Sequence, residues 1–170
     1  SSADTDDTNR IIGIGAVQNS SLDGTGGTAN LSGAVNVNID ASRTHESISL
    51  SDDYHIGKYD LVGIGSSDGP LTATGKATVS VTNRAGIATG VVNDSTSDNL
   101  TLGEVDITAK GTDYAFGVLS RSSHGAVNVG YGKITAALLG DTTTITDEGP
   151  YALYAMRGTI NAGPAGKALQ

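Results

Sequence analysis

Two short phrases return along this chain in a fixed order, and no other feature constrains its fold as tightly. The first is centred on glycine and small residues: Ile11-Ile-Gly13-Ile-Gly15, Leu61-Val-Gly63-Ile-Gly65, Ala88-Thr-Gly90-Val-Val92, Ala115-Phe-Gly117-Val-Leu119 and, more loosely, Ala152-Leu-Tyr154-Ala-Met156. The second sets an apolar residue near a glycine and then alternates. It runs Leu31-Ser-Gly33-Ala-Val35-Asn-Val37-Asn-Ile39, then Leu71-Thr-Ala-Thr-Gly75 on to Val79-Ser-Val81. It returns as Leu100-Thr-Leu102-Gly103-Glu-Val105-Asp-Ile107, Val127-Asn-Val129-Gly-Tyr-Gly132-Lys-Ile134 and Ile160-Asn-Ala162-Gly163. The steps Gly63 to Gly90 and Gly90 to Gly117 are 27 residues each (90 − 63, 117 − 90), and Leu100 to Val127 is again 27. A fixed period of this size marks a repeat architecture, whose units each carry an apolar side they cannot bury alone.

The alternation has period 2, so the repeats are strands. Stacked edge to edge about 4.8 Å apart, such repeats share one core. The expected fold is all-β, a right-handed parallel β-helix (β-solenoid) of about five repeats. A β-sandwich is the alternative; it also uses short strands and turns but gives no reason for a sequence repeat. Composition agrees with a narrow interior. Aromatics are 4%, with one Phe and no Trp, while 24 Gly supply turns and close packing. Charged residues are 16%, too few beside such regular alternation for a disordered chain. The phase of the apolar positions predicts that Val105, Ile107, Phe116 and Val118 face inward, on Val79, Val81, Ile87 and Val91 of the preceding repeat.

Residues 1–170 read as a single solenoid segment with two insertions, 42–60 and 137–150. Both fall at the same point of the repeat, so both should project from one face. Within the second, Ala137-Leu-Leu139 has some helical character. The net charge of −8 argues against nucleic acid and anionic membranes as partners. No cysteine is present, and no apolar run approaches the ~18 residues of a membrane-spanning helix. Direct insertion of this segment into a membrane is not expected. The start, Ser1-Ser-Ala-Asp, looks like a mature or cut end.

Chemistry is sparse. Gly65-Ser-Ser67-Asp-Gly69 has the letters of a nucleophile elbow, but Pro70 and a strand pattern follow where a helix is required. Gly13-Ile-Gly15 and Gly63-Ile-Gly65 lack the third glycine of a dinucleotide site. His45 and His55 have no second ligand pair at metal spacing, and Asp4, Asp6 and Asp7 read as a solvated terminus. Asp94 and Asp98 flank one turn, Asp113 lies a repeat later and Asp52 and Asp53 lie in the first insertion, with Arg84 and Arg121 available on turns. Paired acids can work on sugars, yet turn aspartates far more often accept hydrogen bonds from backbone amides. No catalytic residue, metal site or cofactor is expected.

The run Gly103-Glu-Val-Asp-Ile-Thr-Ala, then Tyr114-Ala-Phe-Gly-Val, and later Tyr151-Ala-Leu-Tyr-Ala-Met-Arg-Gly-Thr-Ile-Asn, resembles the passenger region of bacterial autotransporter adhesins. The resemblance covers roughly 61–163 well and 11–60 loosely. It implies a piece of a longer passenger, secreted and displayed at the bacterial surface, used in adhesion, aggregation or biofilm formation. The partner would be a host-surface glycan or protein, or the same protein on another cell. A β-helical polysaccharide lyase or hydrolase and a phage tail-fibre segment are the alternatives.

The two insertions would bound a cleft. One side offers Tyr54, His55 and Tyr59, whose rings and polar tips suit sugar or peptide contact. Arg84, Lys110 and Asp113 would form its floor, and Asp141, Asp147 and Glu148 the far side.

Overall fold

The computed structural model describes residues 11–17, 27–42, 61–67, 69–95, 97–121, 124–140, 149–163 and 170. These form twelve strands. They are β1 (Ile11–Val17), β2 (Ala29–Leu31), β3 (Val35–Ala41), β4 (Leu61–Ser67), β5 (Leu71–Ala73) and β6 (Ala77–Asn83), followed by β7 (Ala88–Asn93), β8 (Leu100–Gly111), β9 (Ala115–Ser120), β10 (Ala126–Leu138), β11 (Pro150–Ala155) and β12 (Thr159–Ala162). No helix occurs among the described residues. The helical character expected at Ala137-Leu-Leu139 is not realised: β10 runs through Leu138 in register with β8, so ladder hydrogen bonding overrides local propensity.

All pairings among these strands are parallel, and each joins a strand to its counterpart in the neighbouring repeat. Sheet A has the order β1-β4-β7-β9-β11. Sheet B has the order β12-β10-β8-β5-β2, with β3 on β6 and β6 on β8. The antiparallel pairs of a β-sandwich have no counterpart among the described residues. Nor do β8 and β9, adjacent in sequence, pair with each other; they belong to different sheets.

Register turns the repeat into columns of like residues. Leu71, Leu100, Val127 and Ile160 stack in sheet B. So do Val37, Val79, Ile107 and Ile134. In sheet A, Ile14, Ile64, Val91, Val118 and Leu153 form one column. Apart from the exposed Leu153, these columns make up much of the main core between the sheets, with Leu71, Ile107 and Val118 fully buried.

The glycine phrase has a steric cause. A Cβ built on Gly63 would lie 2.3 Å from Val79 Cγ1 and 2.6 Å from the Gly90 carbonyl oxygen. The same clash recurs for Gly13 on Val37, Gly90 on Ile107 and Gly117 on Ile134, each at 2.4 Å. Each repeat therefore presses a β-branched side chain of sheet B into a notch in sheet A that only glycine leaves open. Glycine in one phrase is matched by Val or Ile in the other, and the notch links the two phrases.

At each notch the sheet A ladder is interrupted: Ile12 pairs Val62 and Ile14 pairs Ile64, but Gly13 and Gly63 do not pair. Alternation slips there. Gly117 abuts Ile134 of the core, and its neighbour Val118 is also in the core. Phe116 is thereby thrown to the opposite face. The expectation for Phe116 and Ile87 is corrected accordingly. Both belong to a second cluster on the outer face of sheet A, with Val62, Val92, Tyr114 and Leu119. Val105, Ile107 and Val118 do face inward, and Val118 stacks on Val91. Ile107, however, stacks on Val79 and Val105 on Ala77, two residues before the expected partners Val81 and Val79.

Polar side chains close the corners. Asn93 Nδ2 donates to the carbonyl oxygens of Asp98 (3.0 Å) and Ala126 (3.3 Å), while its Oδ1 accepts from Ser95 N at 3.1 Å. Asn83 works alike at the other corner, donating to Ile87 O at 2.8 Å and accepting from Ala85 N at 3.2 Å. Both asparagines are fully buried, and these bonds offset the desolvation of amide and turn backbone.

Candidate functional site

Sheet B ends and sheet A begins at a single corner. Ala41 pairs Asn83, Asn83 pairs Gly111 and Gly111 pairs Leu138, so four successive repeats leave sheet B from one column. Leu61, Ala88, Ala115 and Pro150 form the column by which they enter sheet A. Two of the four connections are tight, residues 84–87 and 112–114. The other two are long, and both insertions therefore start and finish at this corner. The second is shorter than expected, because residues 137–138 belong to β10 and Pro150 to β11.

Tightness of the turns has a local cause. Thr112 N donates to Gly86 O at 2.9 Å, and Arg84 N donates to Ala41 O at 2.9 Å, so each turn is tied to its neighbour. A Cβ on Gly111 would sit 2.0 Å from Tyr114 O, which fixes glycine at that position.

Of the nine residues expected to line a cleft, three are described, and all three lie at this corner. Arg84 is exposed and paired to Asp40 of the preceding repeat. Lys110 is exposed, next to the column Asn83–Gly111. Asp113 is half-buried, its backbone N–H directed at Gly86 O at 3.4 Å. Two cations and two carboxylates, counting Asp40, thus stand on three successive repeats. Tyr54, His55, Tyr59, Asp141, Asp147 and Glu148 lie outside the described residues.

Beside the corner is a feature that strict alternation misses. On the outer face of sheet A, Tyr114 and Phe116 stack with ring centroids 5.8 Å apart, and Phe116 and Tyr151 with centroids 5.7 Å apart. Tyr154 leans on both Phe116 (5.6 Å) and Tyr151 (4.8 Å). Four of the chain's seven aromatic residues thus form one cluster, next to the turn 112–114 and the return of the second insertion. Tyr114 and Phe116 are buried, whereas Tyr151 and Tyr154 keep part of their surface in solvent. A sequence signal did exist: the 27-residue step puts Tyr114 on Ile87 and Leu119 on Val92, apolar pairs outside the inward phase.

Two of the acids considered for sugar chemistry, Asp98 and Asp94, take part in turn contacts, while Asp52 and Asp53 lie outside the described residues. Asp98 N donates to Ser95 Oγ at 2.9 Å, and Ser95 Oγ is 3.2 Å from Asp98 Oδ2. Asp94 faces Arg121 of the next repeat, Oδ1 to Nη1 3.7 Å, with the arginine side chain only 7% exposed. Both are turn-fixing arrangements. Ser67 closes β4 and no helix follows it among the described residues. No cluster of three or more His, Asp or Glu residues suited to a metal occurs among the described residues. Comparison with known proteins found no matching family model, no matching curated protein and no matching solved structure.

Proposed function

We propose that this chain is a right-handed parallel β-helix acting by binding rather than catalysis, as a segment of a secreted or surface-displayed bacterial adhesin. The observation that carries the binding reading is the shared corner. Both long insertions spring from one column and return to one column, with two short turns between them. In repeat proteins, insertions gathered on one face are commonly the binding surface. Three repeats at about 4.8 Å separate the two by roughly 14 Å, the width of a short oligosaccharide or an extended peptide. Parallel pairing of each strand with its repeat counterpart supports the β-helix, and the near-universal hand of parallel crossovers supports right-handedness. The net charge of −8 favours a glycan or protein partner over nucleic acid.

Replacing residues 44–58 by a short Gly-Ser turn tests this reading. Circular dichroism should show the strands retained, while binding on a glycan array and bacterial aggregation should fall to background. Reducing-sugar and unsaturated-uronate assays on the intact chain should stay blank. Unchanged binding in the folded variant would remove the corner as the site, and turnover of a polysaccharide would replace the adhesin with a lyase or hydrolase.

A further inference from the structure

We draw no further inference here: the strongest candidate, the apolar outer face of sheet A around Val62, Val92, Phe116 and Leu119, is buried at each of these side chains, and nothing among the described residues shows what covers it.

Discussion

Sheets A and B are cut from the same repeat, yet their strands are buried differently. In β7 and β9 of sheet A every residue is buried, on both faces. In β6 of sheet B, buried and half-buried positions alternate through all seven residues. The inner faces obey one rule, set by the notch between glycine and the β-branched column. The outer faces do not. Sheet A carries Val62, Phe116, Val92 and Leu119 outward, and sheet B carries Thr78, Ser80, Thr101 and Asn128. Sheet A thus has the two-sided apolar character typical of parallel sheets, and sheet B the one-sided character usual in antiparallel ones. A shared interior leaves each outer face free to specialise. The apolar outer face adjoins the corner where the insertions arise.

The comparison breaks most sharply under charge insertion. Ile107→Asp, in the core, should abolish folding, since an unpaired buried carboxylate costs an amount comparable to a domain's whole stability of roughly 5–15 kcal/mol. Phe116→Asp should do the same from the outer face of sheet A, whereas Thr108→Asp, outward on sheet B, should leave the thermal melt nearly unmoved. If Phe116→Asp melts with Thr108→Asp, the outer face of sheet A is no second core.

A smaller loss is expected at the notch. Gly63→Ala forces a methyl against Val79 and the Gly90 carbonyl and should cost about 1–3 kcal/mol of overpacking in denaturant titration. Gly33→Ala meets nothing within 4 Å and should be neutral. Equal midpoints for the two would remove the steric reason for the glycine phrase.

The smallest effect belongs to the solvated face of sheet B. Lys76 Nζ lies 3.1 Å from Glu104 Oε1, both side chains well exposed. The hydrogen bond to the Glu104 carboxylate, then its charge, raises the lysine above its ordinary 10.5. A cation held this way contributes stability below its unfolded pKa and loses it as pH climbs through the raised folded value. Lys76→Met and Glu104→Ala should therefore leave the neutral-pH melt unchanged and slightly flatten the decline above about pH 10.5. A large drop at neutral pH would mean that sheet B's outer face is no more tolerant than sheet A's.

Much of this was legible in the chain itself. A 27-residue step and period-2 alternation determine that strands recur, that equivalent residues stack and that Val105, Ile107 and Val118 go inside. The same step determines that the two insertions share one point of the repeat. Only the tertiary structure decided which face Phe116 takes. Its assignment turns on the slip at Gly117, and that slip arises from Ile134 pressing across the core, a contact between residues of different sheets that no local pattern records. Packing likewise decided that Ala137 and Leu138 extend a strand, because β8 offers them ladder partners that outweigh their own helical preference. It also set the aromatic cluster beside the corner, since Tyr114, Phe116, Tyr151 and Tyr154 meet only when successive repeats are stacked in register.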